Sequence, residues 1–109
     1  MTLNPEKAAL RKHLLEKRDS TSFDLMEIHS EKILSKLMKT KVISEAESIA
    51  CYYSIGSEVQ TIELITRLLD EKKSVSLPRI STNTMSFRII EDLSKLDKGE
   101  FDIPEPKDN

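Results

Sequence analysis

One carboxylate and two cations stand where this sequence could do chemistry. The carboxylate is Glu58. It lies in Tyr53-Ser54-Ile55-Gly56-Ser57-Glu58-Val59-Gln60-Thr61, between an apolar run and a helix-like run that leads on to Leu77-Pro78-Arg79. The pattern predicts a strand that ends in a small polar loop, a helix starting at Thr61, and a second strand stopping at Pro78. That is one βαβ unit with an acid at the carboxyl end of its first strand. Open α/β sheets bind ligands at that end, so Glu58 is the leading site candidate. Its bland alternative is an acid favourable to the dipole of the following helix. Tyr53, at the strand end, either lines a pocket or packs in the core with a wet hydroxyl. Lys7 and Arg11 are four apart and share a helix face, with Arg18 seven further on. Such a face meets phosphate or simply faces water. Arg79 and Arg88 are weaker anion candidates, and His13 and His29 have no metal-ligand spacing.

The elements that position these residues can be read locally. Asn4-Pro5-Glu6 predicts a helix start, with Asn as N-cap, Pro at the first helical position and an acid in the first turn. The helix extends to about Arg18, with Leu10 and Leu14 as its apolar seam. Asp19-Ser20-Thr21-Ser22 breaks it. Thr21-x-x-Asp24 reads as a capping box for a second helix over about 22–40, with Met26, Ile33, Leu34, Leu37 and Met38 as its core face. Strands are expected at 48–53, 74–77 and 85–90, with a crossover helix at 61–73 whose Ile62, Ile65, Leu68 and Leu69 face the sheet. A strand–helix–strand crossover implies parallel pairing. Thr82-Asn83-Thr84 is a turn, and residues 96–109 read mostly as loop.

Composition narrows the function. The 109 residues support one domain. The fold class expected is α/β: a helical hairpin over 1–41, then a partial, mainly parallel βαβ sheet over 42–109. Three strands make a thin sheet, so the chain reads as half of a three-layer α/β/α domain. The net charge of −2 argues against a general nucleic-acid or membrane binder. Residues 1–41 carry nine Lys/Arg against six Asp/Glu, and residues 42–109 eight against thirteen. A basic arm on an acidic body suits a small polyanion or a solvated helix face. A single cysteine, Cys51, forbids an internal disulfide and suits a reducing cytoplasm. No secretory leader or long apolar run is visible. Two glycines, Gly56 and Gly99, cannot build a glycine-rich phosphate loop.

Several short pieces, in order, resemble the 5-formyltetrahydrofolate cyclo-ligase (methenyltetrahydrofolate synthetase) family, amino-terminal part only. They are Lys7-x-x-x-Arg11, Tyr52-Tyr53-Ser54 leading to Glu58-Val59-x-Thr61, Leu77-Pro78-Arg79, Phe87-Arg88-Ile89 and Ile103-Pro104-Glu105-Pro106. The resemblance implies ATP-dependent closure of 5-formyltetrahydrofolate to 5,10-methenyltetrahydrofolate, with Mg²⁺. It implies that Lys7 and Arg11 touch ATP phosphates and that Tyr53 and Glu58 line the folate pocket. A later family segment of the type Gly-x-Gly-Tyr-Tyr-Asp has no counterpart here, and the metal site is expected in that missing half. The expectation is an amino-terminal fragment inactive alone, with self-association or a chain supplying the missing half. The alternative is a non-catalytic folate-binding, nucleotide-binding or partner-docking module derived from the family.

Overall fold

The computed structural model describes residues 4–99 and 103–107. Helix α1 (Pro5–Asp19) opens as the sequence implies: the Asn4 side chain accepts from the backbone N–H groups of Glu6 and Lys7. Helix α2 (Phe23–Met38) is capped one residue later than expected. Ser22, and not Thr21, accepts from the Leu25 N–H, because the Thr21 hydroxyl donates back to the Lys17 carbonyl. A short helix α3 (Lys41–Glu45), absent from the sequence reading, follows directly.

The βαβ unit is present with altered ends. β1 (Ser48–Ala50) is shorter than expected, and β2 (Ser74–Ser81) is longer. They pair in parallel, Ile49 opposite Val75. One proline explains both changes. Ser74 N–H donates to the Glu47 carbonyl and Cys51 N–H to the Ser76 carbonyl. The ladder advances two residues per bond, so the next donor on β2 would be Pro78, which has none. β1 therefore stops, while β2 continues through Pro78 because its pairing with β3 uses the other edge. β3 (Thr84–Ile90) returns antiparallel, with Asn83 at φ 64 in the connecting turn, a conformation Asn tolerates. The result is a mixed three-stranded sheet in the order β1-β2-β3.

The crossover helix α4 (Ile62–Asp70) ends three residues before the sequence-based limit. Lys73 N–H donates to Leu68 C=O and Lys72 N–H to Leu69 C=O. This is a Schellman end with Lys72, at φ 65, in the place usually held by glycine. A 3₁₀ turn (Leu93–Lys95) precedes the segment expected as loop, and that segment holds a small antiparallel pair, β4 (Asp97–Lys98) and β5 (Pro104–Glu105). The rest of that segment, 100–102 and 108–109, lies outside the described residues.

The core sits on one face of the sheet. Ile65 and Leu68 of α4 pack with Val75 and Leu77 of β2, all four fully buried, and Leu34, Leu64 and Ile90 complete the cluster. Side chains alternate across a strand, so Met85, Phe87 and Ile89 of β3 fall on the opposite face and are exposed. The apolar seam expected on α1 is exposed too: Leu10 and Leu14 are both more than half accessible, and α1 has no buried residue. On α2, Ile33 and Leu37 are likewise accessible, while Leu34 is buried in the core and Met38 packs half-buried against it. No helix of the described residues is long and apolar enough to cross a membrane.

Candidate functional site

The segment between β1 and α4 is tied to the body by small polar side chains. Residues 55–58 form a tight turn in which Glu58 N–H donates to the Ile55 carbonyl at 3.2 Å. Gly56 occupies it at φ 55, with nothing near the place a Cβ would take. Glycine is favoured there by the backbone angle and not by lack of space. The Glu58 carboxylate reaches back over this turn: Oε1 accepts the Ile55 N–H at 2.8 Å. One carboxylate oxygen is thus fixed, and among the described residues Oε2 accepts no hydrogen bond. Glu58 is half-buried. This is a negative acceptor held on a rigid turn at the carboxyl end of a parallel strand, able to take N–H donors from a ligand.

Thr61 anchors the other end of the loop. Its buried hydroxyl accepts the Ser54 N–H at 3.0 Å and donates to the Tyr52 carbonyl at 2.7 Å, while Ser54 Oγ accepts the Thr61 N–H at 3.1 Å. The hydroxyl therefore makes no cap bond to α4, although Thr61 is the N-cap residue. Thr61→Val keeps the shape but leaves the Ser54 N–H and the Tyr52 carbonyl without their partner. It is expected to cost about 1–3 kcal/mol, lowering the thermal midpoint by roughly 4–8 °C per kcal/mol for a domain of this size. Thermal melting of the variant checks this.

Two more ties come from the helices. Ser30, a polar residue within the apolar stripe of α2, is buried and accepts the Gln60 N–H at 2.9 Å. Arg18 Nε, at the end of α1, donates to Ser57 Oγ at 2.9 Å, and Ser57 Oγ donates to the Asp19 carboxylate. The last turn of α1 is thereby fastened to the turn that holds Glu58. Tyr52 lies beside it and donates to the Val59 carbonyl at 2.9 Å. Its phenol is pushed above the ordinary value, first by burial and then by the negative charges of Glu58 and Cys51, with Arg18 opposing. Burial also raises the Cys51 thiol.

Of the four residues singled out from the sequence, Tyr53 and Glu58 share this loop region. Tyr53 is half-buried against the core, one residue from buried Ser54. Lys7 and Arg11 lie elsewhere. Both are exposed, and among the described residues neither side chain makes a hydrogen bond or an ion pair. At 1.5 Å per residue, Lys7 is about 16 Å along α1 from Arg18. The described residues bring the helix that bears the cations to the loop that bears the acid, but not the cations themselves to Glu58.

Sequence reading gave Glu105 no role, and the structure gives it one. It is almost fully buried; Oε2 accepts the Ile80 N–H at 3.2 Å, and Oε1 stands 3.4 Å from Arg79 Nη1. Arg79 Nη1 also donates to the Pro106 carbonyl at 2.7 Å. Beyond Pro78 the edge of β2 has lost its strand partner, and Glu105 takes over its next free N–H. Gly99 packs directly against this carboxylate, since a Cβ there would lie 2.2 Å from Glu105 Cδ. Arg79 is thus occupied within the fold. The signal available in the sequence was the unusual acid between two prolines.

Among the described residues two larger grooves flank the loop, and a smaller one of about 190 Å³ lies against Ser57 and Val59, beside Arg18 and α2. One of the larger two, of about 450 Å³, is lined by Glu27, Glu31 and Glu63 with Ser30 and Gln60. The other, of about 390 Å³, is apolar and runs along β1 between α2 and α4. Tyr53 and Glu58 line neither. Among the described residues no three His, Cys, Asp or Glu side chains gather to hold a metal ion.

Comparison with known proteins assigns the chain. The model of the 5-formyltetrahydrofolate cyclo-ligase family matches residues 3–109. No curated protein matches significantly. Among solved structures, the NMR structure of Aquifex aeolicus 5,10-methenyltetrahydrofolate synthetase superposes with a TM-score of 0.84 at 30% sequence identity. The match covers 94% of this chain and 52% of that one, so the chain spans about half the length of this relative. With nearly all of its residues inside the family model and its fold shared with that structure, the chain belongs to the 5-formyltetrahydrofolate cyclo-ligase family.

Proposed function

We propose that this chain is the amino-terminal portion of a cytoplasmic ATP-dependent enzyme that closes 5-formyltetrahydrofolate to 5,10-methenyltetrahydrofolate. The observation that carries the reading is Glu58, set on the Ile55–Glu58 turn with one oxygen fixed and the other unoccupied by the described residues. A pterin presents adjacent N–H donors, and a carboxylate accepts such donors strongly. Tyr53 would border the same pocket. Lys7 and Arg11, on one helix face and without a partner among the described residues, suit the phosphates of ATP. Activating a formyl oxygen by phosphorylation is mostly positioning and charge neutralisation, which two cations supply. Magnesium accompanies the nucleotide in this reading, but the described residues offer it no ligand set, so no step here depends on it.

The test is formation of the methenyl product, followed by absorbance, with 5-formyltetrahydrofolate, ATP and Mg²⁺. The 109-residue chain alone should turn over little or not at all, since its two glycines cannot form a phosphate cradle. Addition of the remaining half of the family domain should restore activity, and inactivity of that mixture counts against the reading. In an active assembly, Lys7→Ala or Arg11→Ala should raise the ATP requirement by roughly tenfold. The folate requirement and the thermal midpoint should change little, because both side chains are exposed and without a partner among the described residues. Equal effects on both substrates, with a lowered midpoint, would mark a structural helix face.

A further inference from the structure

β3 ends the sheet on the side away from β1, and among the described residues no strand pairs with its outer edge. Which of its groups point outward follows from the ladder. Ser74 and Ser76 are bonded to Glu47 and Cys51, so Val75, Leu77 and Arg79 turn their N–H and C=O groups toward β3. In an antiparallel pair, bonded and non-bonded positions alternate. Ile90, Arg88 and Ser86, opposite those three residues, are therefore the bonded positions of β3. Phe87 stands opposite Pro78, which has no N–H to give, as a non-bonded position allows. Met85, Phe87 and Ile89 thus turn their backbone groups to the open edge. Their side chains are also accessible, at 62, 50 and 73%. β3 has no proline and a single charge, Arg88, so the usual devices that keep a long edge from pairing are nearly absent.

This edge is complementary to itself. Two copies of β3, laid antiparallel about a two-fold axis at Phe87, set Phe87 opposite Phe87 and Met85 opposite Ile89. All of these face outward, so each pair can exchange both of its backbone bonds. Moving the axis to Ser86 sets Ile89 opposite Asn83, which lies in the turn at φ 64. Moving it to Arg88 sets Met85 opposite Glu91, beyond the end of the strand. The axis at Phe87 keeps every outward residue paired within β3. It also keeps the same face of both sheets on one side, so the exposed Met85, Phe87 and Ile89 of the two copies join in one apolar stripe. Arg88 falls opposite Ser86 of the other copy and not opposite its own like. We propose that the open edge of β3 pairs with the same edge of a second copy of this chain, giving one continuous sheet across an isologous dimer. This interface lies at the far edge of the sheet from β1 and does not depend on the proposed activity.

Sedimentation equilibrium and hydrogen exchange on this chain test it. The chain should be dimeric at about 100 µM and dissociate on dilution. The amides of Met85, Phe87 and Ile89 should exchange about tenfold more slowly in the dimer than in the diluted monomer. Phe87→Pro removes an outward N–H and spares the bonds to β2, so it should leave only monomer. Phe87→Lys and Phe87→Glu keep the backbone donor, and each alone should be monomeric, because like charges then stand directly opposite. Mixed in equal amounts they should dimerise again, since the axis sets opposite charges face to face. A merely sticky apolar patch would not show that rescue. The proposal fails if the parent chain stays monomeric at about 100 µM, or if its dimer leaves the three amides exchanging at the monomer's rate. It fails too if Phe87→Pro dimerises as well as the parent, or if the mixture stays monomeric; where Phe87→Pro does not fold, the mixture decides. Protection of the three amides only on adding the carboxyl-terminal half of the Aquifex aeolicus synthetase would make that half the occupant and overturn the dimer. None of these readouts requires folate, ATP or catalysis, so they separate this proposal from the functional one.

Discussion

Glu58→Gln is expected to weaken 5-formyltetrahydrofolate binding by roughly ten- to a hundredfold, the equivalent of about 1.5–3 kcal/mol for a lost charge-assisted pair. The amide oxygen can still accept the Ile55 N–H now taken by Oε1, so the turn should keep its shape. What changes is the second head atom, which becomes a donor facing a donor, and the charge that strengthened both bonds. Glu58→Ala should add a stability loss, because the Ile55 N–H then loses its acceptor. Comparing the two variants separates ligand recognition from loop closure. The measurement is folate binding by calorimetry, on the chain assembled with the remaining half of the domain, beside a thermal melt of each variant. An unchanged dissociation constant for Glu58→Gln would return Glu58 to a role in the turn alone.

Much of this loop was legible because its information is local. The strand, the small polar residues, the acid and the threonine occur within nine positions, and their order implies a strand–loop–helix corner. Likewise Asn4-Pro5 declared a helix start that the structure reproduces. The errors arose where the deciding partner is distant in sequence. β1 ends early because of Pro78, almost thirty residues away, and the same proline was misread as the end of β2. Its missing N–H matters on one edge only, and a sequence does not say which edge is paired. The leucine seam of α1 shows a similar limit. Leu10 and Leu14 mark an apolar face correctly, but periodicity cannot say whether anything covers it, and here both are exposed. The tie from Arg18 to Ser57 spans 39 residues and the one from Glu105 to Ile80 spans 25. Neither has a local signature.

That second tie is where the fold should be most sensitive. Glu105→Ala is expected to destabilise the chain by about 3 kcal/mol, the low end of the cost of removing one partner from a buried ion pair. The low end applies because the Arg79 side chain keeps 21% of its surface exposed. Two groups lose their partner at once. The Ile80 N–H sits on the edge of β2 that β1 no longer covers, and the Arg79 guanidinium, whose Nε is already buried without a partner, retains among the described residues only the Pro106 carbonyl. The thermal midpoint should fall by more than about 10 °C. Glu105→Gln should cost less, since an amide oxygen can still accept from Ile80 although its charge is gone. Arg79→Met with Glu105→Gln should recover part of the loss, because no buried charge is then left unpaired. Hydrogen exchange would locate the damage: the Ile80 amide should exchange faster in Glu105→Ala, while Val75 and Leu77, deep in the core, should follow global unfolding only. A loss below about 1 kcal/mol, with Ile80 still slow to exchange, would mean that the edge of β2 is closed by something other than Glu105.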